Sequence, residues 1–396
     1  MTAQQVRRHH YPQLDTMRGF AAVAVVATHV AFWSGVYNHG TVGAATQRLE
    51  VGVAIFFVLS GFLLSLPYLS AGRYGTPHDS VWRYFWKRAL RILPVYWVCV
   101  VAALVLIERN HGLGLDRWLQ NFTLTDVYRA NNLPSGLGQM WSLSIEVSFY
   151  VLLPLLGALL IRMAKNGWQL HVVLAIAGLM YAVNVVWTCA STHTDAAWGI
   201  WALRWLPSYL GWFAWGIALA ALVVDAQKPT SRLTTLVTQV ARDRAACWIC
   251  AGAFFAIIST PVGGTPLLEA LSPAEAVARN VFYGLVAALL ILPCVLGQTT
   301  TPTARLMSTP ALRHLGTISY SLFCCHLIVL YLAADWLGFE LFQSSPYALF
   351  AVVLSISLVL AELLYRFVET PFLRLKSWRS PRVNDTKPPT ANAANS

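Results

Sequence analysis

Ten apolar runs separated by short polar connections dominate the chain, at roughly 19–37, 51–70, 92–107, 143–161, 170–190, 205–224, 246–261, 280–297, 316–337 and 346–367. An α-helix rises about 1.5 Å per residue, so roughly 20 residues cross a hydrocarbon layer about 30 Å thick. Inside lipid the backbone must satisfy its own hydrogen bonds, and continuous apolar runs do so as helices. The pattern predicts an all-α fold: a polytopic transmembrane helical bundle of about ten spans over residues 14–377. The polar ends, 1–13 and 378–396, read as disordered tails. The first run follows charged residues and lacks a small-residue cleavage site, so it is expected to stay as a signal anchor.

Two connections carry a pattern of their own. In HDSVWRYFWKRALRILPVYW (78–97), Arg83, Lys87 and Arg91 recur every four residues, with Trp82, Phe85, Trp86 and Leu90 on another face. That spacing predicts an amphipathic helix lying along the membrane surface. The longest connection, 108–141, contains NNLPSGLGQM and predicts an ordered but irregular lid or entrance rather than a helix.

Composition agrees with the spans: 57% of residues are hydrophobic and only 11% charged, against about 25% charged in soluble domains. Of the 28 Lys and Arg residues, all but Arg48, Arg109, Arg117, Arg129, Arg204 and Arg279 fall on the side of the N-terminus. The bias puts both termini in the cytoplasm. A net charge of +11 then reads as topology and attraction to anionic lipid rather than nucleic-acid binding. The seven cysteines lie in or beside spans, where small packing residues are expected rather than disulfides or metal ligands.

Candidate chemistry sits inside the runs. Arg18 and His29 stand eleven residues apart in DTMRGFAAVAVVATHVAFW, about three helical turns, so both share a face roughly 16 Å apart along the axis. A charged residue at a bilayer centre costs about 2.5–3.5 kcal/mol or more, which makes such residues functional candidates. A neutral imidazole has the form a general base requires, and an interhelical hydrogen bond is the plain alternative. Arg18 would meet an anion at the inner surface. Lys87, Arg88 and Arg91 would bind a polyphosphorylated ligand, serve as a positive flank, or both.

Glu146 lies a few residues inside the fourth span, with Ser142, Phe149 and Tyr150 on its face. A cation, a histidine, a sugar hydroxyl or the helix dipole would stabilise it. In the ninth run Gly316, Ser319, Phe323 and His326 follow one side at 3–4–3 spacing, and His326 matches His29 in depth. Matched imidazoles predict a shared polar cavity, while Gly316 and Ser319 also permit close helix contact. The Ser60-Gly61 step in IFFVLSGFLLSLPYL allows close packing or a local opening. Glu369 and Pro371 remain ambiguous, since proline there commonly stops a helix.

Taken in order, Arg18 with His29, FFVLSGFLL (56–64), KRALRILPVY (87–96), WSLSIEVSFY (141–150), GTISYSLFCCH (316–326) and ETP (369–371) resemble the acyltransferase-3 family of integral membrane acyltransferases. Where members commonly carry further acids and a glutamine, this chain has Ala54, Val147 and Ser148. The resemblance implies transfer of an acyl group, usually acetyl from cytoplasmic acetyl-CoA or another acyl-CoA, to a hydroxyl of a carbohydrate or small acceptor. O-antigen, exopolysaccharide, lipo-oligosaccharide and macrolide acceptors of stand-alone members are the expected classes, in a bacterial inner membrane. On that reading His29 acts as general base or is itself acylated, aided by Glu146 or His326. Arg18, Lys87, Arg88 and Arg91 hold CoA phosphates. Ser60, Gly61, Trp141, Ser142, Tyr150, Ser319 and Tyr320 bind or support substrate, with the Ser60-Gly61 step and Tyr320 as candidate oxyanion stabilisers, and no metal takes part. The competing class is a proton-coupled transporter or exporter with mid-depth histidines as a relay; no internal repeat points to it.

Overall fold

The computed structural model describes residues 11–128, 133–164, 167–192, 202–264 and 271–377. Regular structure among these residues is helical throughout, as the apolar runs require. Nine of these helices are long and apolar enough to cross a membrane. The crossing helices are α1 (Pro12–Trp33), α2 (Val51–Tyr74), α3 (Val81–Leu106), α4 (Met140–Ala164), α5 (Leu170–Thr192) and α6 (Leu206–Asp225, its first turn Leu206–Tyr209 a 3-10 helix). After the shorter apolar α7 (Arg244–Ile258) come α8 (Pro273–Val295), α9 (Ser319–Leu337) and α10 (Pro346–Leu364). The tails expected at 1–13 and 378–396 lie outside the described residues except for 11–13, where α1 already begins at Pro12.

The count differs from ten at one place, and the reason is length. α7 has 15 residues, a rise of about 22 Å, short of the hydrocarbon thickness. Its two ends nonetheless fasten to opposite ends of the bundle. Arg244 Nη2 donates to Gln13 Oε1 (2.7 Å) at the start of α1 and to Pro293 O (3.0 Å) near the end of α8. Ile258 O accepts from Arg48 Nε (2.9 Å), beside the start of α2. The expected run at 246–261 is therefore a short helix running between the two ends.

Three further expectations change. The basic segment 78–97 is not a separate surface helix: α3 starts at Val81, capped by Ser80 Oγ, and continues through Pro94 to Leu106. Nothing at its junction with the apolar run breaks the helix, so the cations occupy the first turns of a crossing helix. The 108–141 connection contains a helix, Leu115–Phe122, pinned by an ion pair of Arg117 with Asp126 (2.7 Å). The ninth run bends: Pro310–Thr317 ends before α9 begins at Ser319.

Small residues set the closest approaches, as van der Waals packing between helices in lipid demands. A Cβ at Gly61 would lie 2.4 Å from Phe213 O, and one at Gly216 2.2 Å from Val58 O, so α2 and α6 meet backbone to backbone. Phe213 fills the space beside this contact, stacked between Phe57 (4.6 Å) and Phe149 (4.0 Å). Outward positions such as Val105, Leu155, Leu179, Val186 and Val359 are exposed, a surface suited to lipid. The starts of α1, α3 and α9 and the end of α10 share one end of the bundle, rich in Lys and Arg and here called the basic end.

Candidate active site

A cavity of about 100 Å³ lies between α1, α2, α3, α4 and α9. Arg18, Arg88 and Arg91 bring three guanidinium groups to its wall, and Glu146 brings a carboxylate. Arg91 is committed to Glu369, a fully buried carboxylate with which it forms an ion pair, and the other oxygen of Glu369 accepts from Ser321 Oγ (3.1 Å). Arg88 lies over the rings of Tyr150 (5.9 Å) and Tyr84 (6.0 Å), close enough for cation–π attraction. The Nε atoms of Arg18 and Arg88 are buried without a hydrogen-bond partner among the described residues. Buried donors of this kind are normally satisfied, so both call for an acceptor that the described residues do not supply.

Glu146 Oε1 accepts from Ser60 Oγ and from Tyr150 Oη (2.7 Å). With Glu369 it leaves one positive charge in excess among the five ionised groups, so the wall favours an anion. The positive region continues outward. The Lys376 ammonium is pushed down to about 8, first by partial burial and then by Arg91 and Arg88. Lys87, by contrast, is not on the cavity wall: its Nζ pairs with Asp79 (2.5 Å) at the rim.

The aromatic pair Phe56 and Phe323 (6.1 Å between centroids) lines the same cavity, and Phe323 abuts His326 (6.0 Å). His326 is buried, and its Nε2 stands 3.3 Å from Nδ1 of the partly accessible His29. Each Nδ1 also faces a backbone carbonyl: Val25 O at 2.7 Å for His29, Phe323 O at 2.8 Å for His326. A carbonyl only accepts, so both Nδ1 atoms carry a proton. His326 Nε2 then accepts from His29 Nδ1–H, and in the neutral ring His29 Nε2 has a lone pair that no described residue takes up. That is the atom a base or nucleophile would use.

Comparison with known proteins decides the family, for the acyltransferase domain family matches residues 11–366. The chain belongs to the acyltransferase-3 family. It is similar to the putative peptidoglycan O-acetyltransferase YrhL of Bacillus subtilis, 27% identical over 95% of this chain and 57% of that protein. Acyltransferase MdmB of Streptomyces mycarofaciens is 26% identical over 96% of each. Exopolysaccharide production protein ExoZ of Rhizobium meliloti is 29% identical over 85% of this chain and 92% of the relative. The chain thus spans little more than half the length of its peptidoglycan O-acetyltransferase relative. No solved structure matches.

Within this acyltransferase-3 bundle the remaining candidates separate. Ser60, Ser142, Tyr150 and Tyr320 line the basic cavity. Glu146 stands with Arg18 and Arg88 on that wall, and its hydrogen bonds run to Ser60 and Tyr150 rather than to His29. Ser319, the first residue of α9, donates to Gly316 O (2.8 Å) and is buried, a packing role. Gly61 serves the α2–α6 contact. Tyr320 donates to Ile92 O (2.7 Å) and Ser60 to Glu146, so neither hydroxyl is free for an oxyanion. Trp141 lines a second cavity at the far end. Among the described residues no group of three His, Cys, Asp or Glu side chains could hold a metal ion. Sequence reasoning left Glu369 unassigned, although the ETP segment contained it.

Proposed function

We propose that the protein is a multi-pass membrane O-acyltransferase of the bacterial inner membrane that moves acetyl from acetyl-CoA to a hydroxyl of a carbohydrate or other small acceptor. One observation carries this reading: a single cavity runs from three arginines to the aromatic pair Phe56 and Phe323, and Phe323 abuts His326, the ring paired with His29. The basic end faces the cytoplasm, where the positive-inside rule puts Lys and Arg. Arg18, Arg88, Arg91 and Lys376 meet the CoA phosphates. The pantetheine arm extends along the Arg18–His29 side, about 16 Å in helical rise, and brings the thioester to the imidazoles.

His29 Nε2 takes the proton of the acceptor hydroxyl as its oxygen attacks the thioester carbonyl. The new C–O bond forms, the C–S bond breaks, and the proton passes from His29 to the departing CoA sulfur. His326, holding Nδ1–H of His29 from behind, fixes the tautomer. Glu146 fixes Ser60 and Tyr150 on the donor wall. The transporter reading needs no cleavage of a thioester, and the acyltransferase family match argues against it.

The decisive measurement is CoA release from acetyl-CoA by full-length protein in lipid nanodiscs, followed chromatographically. The wild type releases CoA, His29→Ala does not, and the Arg18→Ala, Arg88→Ala double variant raises the KM for acetyl-CoA. Undiminished release by His29→Ala overturns the role of that ring.

A further inference from the structure

Among the described residues that wall the basic cavity, neither His29 nor His326 appears. Two aromatic rings stand between. On α9, counted from the basic end, Tyr320 donates to Ile92 O (2.7 Å), Phe323 follows three residues later and His326 three after that. Each step is about 4.5 Å of helical rise. On α2, which runs the opposite way, Ser60 donates to Glu146, and Phe56 lies four residues farther from the basic end, about 6 Å along the axis. Both rings therefore lie one turn beyond the polar wall, and Phe323 lies one turn short of His326.

The rings meet edge to face, with centroids 6.1 Å apart and planes at 69°, an arrangement that aromatic pairs prefer. Beyond them the imidazoles begin: Phe323 is 6.0 Å from His326, whose Nε2 is 3.3 Å from Nδ1 of His29.

The two rings are held differently. Phe323 is buried, and its backbone carbonyl accepts from Gln139 Nε2 (3.4 Å) and from His326 Nδ1 (2.8 Å). It is fixed to the helix that carries the imidazole. Phe56 is only partly buried, whereas its neighbour Phe57 is wedged among Tyr209, Trp212 and Phe213.

We propose that Phe56 and Phe323 are the specificity residues for the acyl group: the pair is a gate that passes an acetyl thioester to the imidazoles and turns longer chains back. This rests on the donor reading above. The acyl group is the tip of the pantetheine arm, so it meets the rings before the thioester carbonyl does. An acetyl methyl passes when Phe56 turns aside. Each added methylene must be housed against Phe323, which its backbone holds, and against Val53 and Leu143 of the same wall. Close-packed apolar groups resist such additions, and an apolar pocket separates ligands that differ by one methylene by about 10–200-fold. A ring pair that only packed α2 against α9 would affect melting and leave the choice of acyl group alone.

The test follows CoA release by full-length protein in nanodiscs from acetyl-, propionyl-, butyryl- and hexanoyl-CoA. For the wild type, kcat/KM should fall about tenfold or more at the first added methylene. Phe56→Ala should raise the butyryl-to-acetyl ratio of kcat/KM about tenfold or more, with Phe56→Leu and Phe323→Leu moving it the same way by less. Free CoA carries no acyl group, and its inhibition constant should stay within about twofold of wild type in these variants, because the arginine wall is untouched. A wild type that uses butyryl-CoA as well as acetyl-CoA, or an unchanged ratio in the variants that still bind free CoA, overturns the proposal and leaves the donor reading standing. Release of CoA from none of the four thioesters by the wild type overturns the donor reading, and this proposal with it.

Discussion

Arg91 and Glu369, 278 residues apart in sequence, form an ion pair that ties α3 to the π-helical turn Tyr365–Glu369 after α10. Glu369 is wholly buried, while Arg91 reaches the cavity. Removing one partner strands the other charge, and for buried pairs that loss is on the order of 3 kcal/mol. Glu369→Ala is expected to lower thermal stability in detergent accordingly. Glu369→Gln keeps an acceptor for Arg91 and turns an amide donor toward Ser321 Oγ, and should lose about half as much. Equal melting of Glu369→Ala and wild type would contradict this account.

The imidazole pair makes an asymmetric prediction. His29 offers the free Nε2, so His29→Ala should lose acetyl transfer by about 100-fold or more, the usual range of general-base contributions being about 10²–10⁴. His326 acts through His29 by accepting from its Nδ1–H. His326→Gln, which retains an acceptor, should keep more activity than His326→Leu. Equal rates for those two variants, measured at saturating acetyl-CoA, would remove His326 from the positioning of His29.

Depth was legible in the sequence because it follows from helical rise alone: His29 and His326 fall about ten residues into the first and ninth runs, which start at the same end, and do meet. Arg18 with Arg88 and Arg91 was legible for the same reason, all three lying near the basic ends of their helices. The Arg91–Glu369 pair was not, since it depends on where α10 ends relative to α3. Nor was the second cavity, whose Glu50, Tyr209, Trp212, Asn280 and Tyr283 come from three separate helix beginnings. Trp141 was picked for its motif, but only packing reveals that it faces away from Ser142. The α3 expectation failed because an amphipathic start and an apolar continuation can share one helix.

Lys376 gives the donor site a pH dependence. Its ammonium, pushed down to about 8 by burial and neighbouring arginines, is about nine-tenths charged at pH 7 and about one-tenth at pH 9. Phosphate ionises fully below this window, its second pKa being about 6, so the cation alone changes there. Phosphate binding favours protonated Lys376, and affinity is lost as pH rises through 8. The KM for acetyl-CoA should therefore climb about threefold or more from pH 7 to 9. Lys376→Arg should stay low and Lys376→Met high across that range; a Lys376→Met profile that still bends near pH 8 would assign the effect elsewhere.

Ser60 and Gly61 are neighbours with opposite duties, and their variants should separate cleanly. A methyl group on Gly61 collides with the carbonyl of Phe213 at 2.4 Å, backbone that cannot swing aside. Overpacking of this kind costs about 1–3 kcal/mol. Gly61→Ala should melt earlier in detergent, with activity per folded molecule within about twofold of wild type at low temperature. Ser60→Ala leaves that contact intact but takes a donor from Glu146, freeing the carboxylate to compete with CoA phosphate for Arg18 and Arg88. It should melt close to wild type and raise the KM for acetyl-CoA. A stable Gly61→Ala with a raised donor KM would move the glycine from the helix contact into the donor wall.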